Sequence, residues 1–145
     1  MPGYVDFNTL HTAHGRAAAF ATGIKLAKPE MDVIVVGGDG DGVAIGGNHF
    51  IHACRRNVDM TYIAMDNEVY GMTKGQPSPT SAEGTISRAS PYGSQERPLN
   101  PLLMALSYDI SFVARCFSGM LREMTEILTL ALQHPGFSLI QVLSP

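Results

Sequence analysis

An open, mostly parallel α/β sheet with helices on both faces is the fold class this sequence predicts, and three observations predict it. The run Asp-Val-Ile-Val-Val-Gly at Asp32–Gly37 is β-branched, lacks polar alternation and leads straight into glycines. Such a run suits a strand buried on both faces of a parallel sheet. A second apolar run, Met60–Met65, follows a helical stretch, and the last third of the chain reads as strand, helix, strand. In sheets of this kind ligands sit outside the carboxyl ends of the strands, which puts the glycine-rich segment after Val36 at a binding end.

The elements follow in order. Gly15–Lys28 is rich in alanine and small residues and is closed by Pro29, which predicts a close-packed helix. After the strand at Asp32–Gly37 and the glycines to Gly42, residues Ile45–Arg56 predict a helix ending near Asn57, then a strand at Met60–Met65. Residues Asp66–Asn100 have no sustained period and contain Pro77, Pro79, Pro91 and Pro98. So long an irregular stretch in a small domain points to a functional loop or lid. A short helix at Leu102–Leu106, a strand at Ser111–Arg115, a helix at Met120–Gln133 and a strand at Ser138–Leu143 complete the chain. In the last helix Leu121, Met124, Ile127, Leu128, Ala131 and Leu132 fall at spacings of three and four, one buried stripe stopped by His134-Pro135-Gly136.

Composition narrows the function. The 145 residues make one domain, numbered 1–145. A formal net charge of −3 leaves no basic stripe for a nucleic-acid backbone. No apolar run reaches the roughly 18 to 20 residues of a membrane span, and Met1–Asn8 carries no targeting pattern. Cys54 and Cys116 stand far apart with no Cys-x-x-Cys pair, which argues against a disulfide framework and a metal site within the chain, and fits a cytoplasmic protein. Cys54, Met104, Met120 and Met124 read as core filler, His49 and His52 as packing residues, and Arg55 and Arg56 as either coenzyme A phosphate contacts or a solvated helix end.

The chemistry concentrates after the first strand. Gly37-Gly38-Asp39-Gly40-Asp41-Gly42 is a turn of small residues carrying two carboxylates just before a helix. Glycines let a ligand approach bare backbone and a helix N-terminus favours anions, but a carboxylate binds phosphate only through a cation. The combination predicts a metal-bridged diphosphate. Magnesium needs further oxygens, and Asp66-Asn67-Glu68-Val69-Tyr70-Gly71 at the next strand end offers Asn67 and a loop carbonyl. Neighbouring strand ends of a parallel sheet bring Asp39 and Asn67 within reach of one ion.

Gly38-Asp39-Gly40, then 26 residues (41 to 66), then Asn67 resembles the signature of thiamine-diphosphate enzymes. The longer series is more specific: Ile45-Gly46-Gly47-Asn48-His49, Arg55-Arg56-Asn57-Val58-Asp59, and Val69 to Gln76 with Ser78-Pro79-Thr80. It resembles the beta subunits of 2-oxoacid:ferredoxin oxidoreductases from His11-Thr12-Ala13-His14-Gly15-Arg16 to Leu143-Ser144-Pro145. The resemblance implies the thiamine-diphosphate-binding fold, with Asp39, Asn67 and the Val69 carbonyl on magnesium, and with His14, Gly38, Gly40, Asp41 and Met72 around the cofactor. The family's usual pattern has asparagine where Asp66 stands, a departure that adds negative charge beside the site. Lys74 lies in the segment facing substrate, and a cation there suits the second carboxylate of 2-oxoglutarate. Ser90-Pro91-Tyr92-Gly93 and Pro98-Leu99-Asn100-Pro101-Leu102 also look more like the 2-oxoglutarate type than the pyruvate type.

What the resemblance implies for the whole enzyme is oxidative decarboxylation of a 2-oxoacid to an acyl-CoA with reduction of ferredoxin, in partnership with an alpha subunit, with or without gamma and delta subunits. It also implies a [4Fe-4S] cluster whose cysteine ligands are absent from this sequence, so the chain is expected to be part of a longer beta subunit. The glutamate that activates the cofactor comes from another domain or subunit, and the chain alone is expected to be inert. Two alternatives stand beside this reading. One is a non-catalytic assembly module that pairs with an alpha subunit without cofactor. The other is a dinucleotide-binding domain, which fares poorly because Gly-x-Gly-x-x-Gly can be drawn through Gly38 and Gly40 only with the wrong spacing.

Overall fold

The computed structural model describes residues 5–145; Met1–Tyr4, part of the stretch read as lacking a targeting pattern, lie outside the described residues. Helix α1 (Ala17–Ala27) leads to strand β1 (Ile34–Gly38), a π-helical turn (Gly40–Ile45), helix α2 (Gly47–Arg55) and strand β2 (Met60–Asp66). A two-stranded hairpin, β3 (Val69–Tyr70) and β4 (Gln76–Pro77), opens the long loop. Helix α3 (Pro101–Leu106), strand β5 (Phe112–Phe117), helix α4 (Leu121–Gln133) and strand β6 (Phe137–Leu143) complete the fold.

The main sheet has the order β1-β2-β6-β5 and every pair in it is parallel, as the sequence predicted. In-register pairing sets Gly38 beside Met65 and Asp66 beside Leu143, so β1 and β2 end side by side. One face packs Val35, Tyr62, Ala64, Phe137 and Leu139 against Ala18 and Ala21 of α1, Phe50, Ala53 and Cys54 of α2, and Ala105 of α3. Phe50 meets Tyr62 and Phe137 edge-on, with centroids 5.4 and 6.0 Å apart, contacts worth about 0.5–1.5 kcal/mol each beyond area burial. The opposite face packs Ile140, Val142 and Cys116 with Ile63 and Met65 against Met124, Ile127, Leu128 and Ala131 of α4.

Three expectations are corrected. The strand β1 is not buried on both faces: it is a sheet edge, and Val35 and Gly37 are buried while Ile34 and Val36 are exposed. The cause is coverage, since α4 joins a core built with β2, β5 and β6 and does not reach β1. Along α4 the buried stripe is shorter than the periodicity suggested; Leu121 and Leu132 at its two ends are exposed, as is Met120 before it. Finally, the glycine segment is helical from Gly40, with a π turn that runs into α2. Asn100, part of the string that looks like the 2-oxoglutarate type, also starts α3 by accepting from the backbone of Leu102 (3.0 Å) and Leu103 (3.1 Å), with Pro101 in the first turn.

Candidate functional site

The carboxyl edge of β1 and β2 gathers most of the residues singled out above. Asp39 follows β1, ahead of the π turn, and is only 3% exposed; Asp66 ends β2 and is equally buried. Both carboxylates are served by the long loop. Ser78 Oγ and Thr80 Oγ1 both donate to the same oxygen of Asp39, Oδ2, the second at 2.7 Å. Thr80 Oγ1 also lies 2.7 Å from Asp66 Oδ1, which accepts from the Glu68 N–H at 3.2 Å as well, while Gln141 of β6 donates to Asp66 Oδ2.

A threonine hydroxyl has one proton and cannot donate to two carboxylates at once. Thr80 therefore serves one carboxylate at a time, while Ser78 stays with Asp39 and the Glu68 N–H and Gln141 stay with Asp66. No lysine, arginine or histidine forms an ion pair with Asp39 or Asp66 among the described residues. Two buried carboxylates without a cation are costly, and the arrangement lacks a positive charge. Asp39 Oδ1 makes no hydrogen bond among the described residues, so one oxygen of this buried group is left for such a charge.

The loop itself is fixed by close packing. A Cβ on Gly40 would stand 2.1 Å from Tyr70 Cε1, and one on Gly42 would stand 2.3 Å from Tyr62 Oη, so both tyrosine rings lie directly on glycine backbone. Burial above all, then the Asp41 carboxylate, raises the Tyr62 phenol far above its ordinary value; burial, then Asp39 and Glu96, raises Tyr70. Asp41 Oδ1 accepts from the Gly15 N–H at 2.6 Å and contacts His14 Nδ1 at 2.5 Å, which ties the segment before α1 to the π turn. π turns of this kind occur often at functional sites.

The other candidates are less engaged. Asn67 is exposed, and its Oδ1 accepts from the Val69 N–H at 3.2 Å, a turn that sets Asn67 and Val69 together just beyond β2. Met72 is fully exposed, and exposed Lys74 sits at the hairpin tip with a left-handed φ of 79°. Gly38 ends β1 and is partly buried. Beside β4 an open cleft of about 400 Å³ is lined by Gln76, Ser78, Ser90, Ser94 and Glu96, and shares Ser78 with the carboxylate network. Cys54 and Cys116 are buried, and burial pushes the Cys54 thiol up to about 12, so neither is a reactive thiolate. Arg55 and Arg56 are exposed at the end of α2. Ser78, Thr80, Ser81, Gln141 and the two tyrosines carry the site's geometry and were given no role by the sequence reading.

Among the described residues no three His, Cys, Asp or Glu side chains group as a metal site. The donor set proposed from sequence has one carboxylate, one amide and one carbonyl, the mixture magnesium accepts when phosphate and water supply the rest. The residues fit such a group: a buried carboxylate with one open oxygen, adjacent strand ends, and the uncapped start of a helical segment at Gly40.

The sequence profile described as "Thiamine pyrophosphate enzyme, C-terminal TPP binding domain" matches residues 1–142. The chain belongs to that family. This TPP binding domain is 54% identical over 141 residues to the 2-oxoglutarate synthase subunit KorB of Archaeoglobus fulgidus, covering 97% of the chain and 53% of that protein. It is 45% identical to the 2-oxoglutarate oxidoreductase subunit KorB of Mycobacterium tuberculosis, over 99% of the chain and 38% of that protein. A solved structure of 2-oxoglutarate:ferredoxin oxidoreductase from Magnetococcus marinus, with 2-oxoglutarate, coenzyme A and succinyl-CoA bound, superposes with a TM-score of 0.95 at 47% identity, over 98% of the chain and 49% of that one. The chain spans about half the length of the first two of these relatives or less. The family resemblance read from the motifs and the parallel α/β fold are both borne out. No helix among the described residues is long and apolar enough to cross a membrane.

Proposed function

We propose that this chain holds the magnesium and diphosphate end of thiamine diphosphate in a 2-oxoacid:ferredoxin oxidoreductase, as the cofactor-binding domain of its beta subunit, with 2-oxoglutarate as the oxoacid. The observation that carries the reading is the buried pair Asp39 and Asp66 at adjacent strand ends, lacking a cation partner among the described residues and leaving Asp39 Oδ1 open. Asp39 Oδ1, Asn67 Oδ1 and the Val69 carbonyl would hold the metal, and the backbone of Gly38, Gly40 and Asp41 would border the diphosphate. His14, fixed on Asp41, and the exposed Met72 would contact the cofactor. When bound, thiamine diphosphate supplies the electron sink for decarboxylating a 2-oxoacid.

The substrate reading rests on Lys74, an exposed cation in the turn between β3 and β4, which would pair with a distal carboxylate. The cleft beside β4 gives the oxoacid an approach that ends at Ser78. Ferredoxin, the [4Fe-4S] cluster, coenzyme A and the glutamate that activates the cofactor belong, in this reading, to the rest of the assembly. The chain by itself binds cofactor without turnover.

Calorimetric titration of thiamine diphosphate with and without magnesium tests the reading. Saturable binding that needs magnesium and is lost in Asp39→Ala is expected. Its absence even with an alpha subunit present would replace the proposal with that of an assembly module. Ferredoxin reduction by the isolated chain would overturn the division of labour.

A further inference from the structure

We propose that Ser78 and Thr80 make Asp39 a one-oxygen metal ligand and thereby select magnesium over calcium. The inference rests on the cofactor reading above and deepens it, since it concerns which ion the site admits and which residues decide.

A carboxylate oxygen offers about two acceptor directions. Around Asp39 both are taken on one side: Ser78 Oγ and Thr80 Oγ1 converge on Oδ2, and Oδ1 has neither. Whether the single Thr80 proton points to Asp39 or to Asp66, its oxygen stays 2.7 Å from Oδ2 and fills that space. A cation therefore reaches Asp39 only through Oδ1.

The two hydroxyls are themselves held. The Ser78 N–H donates to Ser81 Oγ at 2.7 Å, and Ser81 Oγ donates to the Glu68 carbonyl, so the turn carrying Ser78 is tied to the end of β2. Ser78, Thr80 and Ser81 are all buried, and Thr80 is fixed a second time by Asp66, which Gln141 anchors to β6. The Asp39 carboxylate cannot rotate to offer both oxygens without breaking this set.

Denticity matters because the two ions differ in what they tolerate. Calcium takes six to eight oxygens at about 2.3–2.6 Å and accepts bidentate carboxylates, whereas magnesium demands a near-ideal octahedron at about 2.0–2.1 Å. A carboxylate restricted to one oxygen suits the second and handicaps the first. The Ser-Pro-Thr-Ser turn thus acts as a positioning device through Asp39 and need not touch the metal.

The test measures the half-saturating concentrations of magnesium and of calcium that support thiamine diphosphate binding to the full chain, by calorimetry. The unaltered chain is expected to prefer magnesium by about tenfold or more. In Ser78→Ala and Thr80→Val that preference falls by about fivefold, chiefly because calcium binds better, while Thr80→Ser keeps it within about twofold. A structural role alone would lower thermal stability and weaken both ions equally. An unchanged ratio in folded Ser78→Ala or Thr80→Val, or a Thr80→Ser variant that behaves like Thr80→Val, overturns the inference and leaves the cofactor reading intact. Should Thr80→Val not fold, Ser78→Ala and Thr80→Ser carry the comparison. No binding to the unaltered chain with either ion overturns the cofactor reading and this inference with it.

Discussion

The two edges of the sheet handle charge in opposite ways. At the amino edge Asp59 stands before β2, with Lys25 of α1 2.8 Å away and the Gly136 N–H donating to it at 3.0 Å. Asp59 is exposed, and its charge is matched on the spot. At the carboxyl edge Asp39 and Asp66 are buried, share hydroxyl and amide donors, and have no cation among the described residues. A chain selected for stability alone would pair the buried carboxylates before the exposed one. Under the proposed function the reversed order would make the carboxyl edge the place where a cation arrives from outside the chain, and the amino edge structural.

The largest effect expected from that contrast is on Asp39→Asn. Magnesium-dependent binding of thiamine diphosphate should fall by about a hundredfold or more, because the buried carboxylate with an open oxygen is gone. The cofactor-free chain should gain stability on the order of 1 kcal/mol, because an uncompensated buried charge is removed. Calorimetric titration and thermal melting of the same sample read both. A variant that loses binding and stability together would mean that the carboxylate is already compensated, and the contrast between the edges would fail.

Next in size is the packing that holds the π turn. Gly42→Ala places a methyl 2.3 Å from the hydroxyl of the buried Tyr62, and overpacking of this kind costs about 1–3 kcal/mol. The double variant Gly42→Ala with Tyr62→Phe should recover about half of that loss, since the next ring atom is 3.2 Å away. Chemical denaturation of the two single variants and the double checks it; simple additivity would show that the ring does not set the turn. Asp66→Asn should do less. The amide keeps most of the network but removes one charge, so the magnesium requirement for cofactor binding should rise by about threefold to tenfold, on the order of 1 kcal/mol. Unchanged magnesium dependence would place the Asp66 charge outside the site's field.

How much of this was legible follows from where each signal lies. Strands β1 and β2 and helix α4 announce themselves through local runs and periods, and Asp39, Asn67 and their spacing stand in the sequence as a motif. The edge position of β1 does not, because Val33–Val36 reads the same whether α4 covers it or stops short. Nor do the partners of the carboxylates. Ser78 and Thr80 lie 39 and 41 residues from Asp39, and Gln141 lies 75 from Asp66. They meet only because the loop returns over the strand ends and β6 lies beside β2. A local pattern could flag a Ser-Pro-Thr-Ser turn as polar and constrained, but its target is a property of the topology.

The smallest effect, at the opposite edge, completes the comparison. The Lys25 hydrogen bond is the main cause holding the Asp59 carboxyl below its ordinary value of 3.8, with help from the Gly136 N–H and the charges of Lys25 and His134, and with burial opposing. A folded-state value below the unfolded one means that the pair stabilises the fold fully above that ordinary value and loses its contribution as pH falls through the lower, folded value. The Asp59 side chain is 54% exposed, so the contribution stays at the surface-pair scale of about 0.2–1 kcal/mol. Asp59→Asn should therefore melt slightly below the unaltered chain at neutral pH and converge with it in strong acid. A gap that persists or widens on acidification would contradict the assignment. The sign is the discriminating feature: removing a carboxylate is expected to lower stability at the amino edge, where it is paired, and to raise it at the carboxyl edge, where the proposed metal would supply the partner.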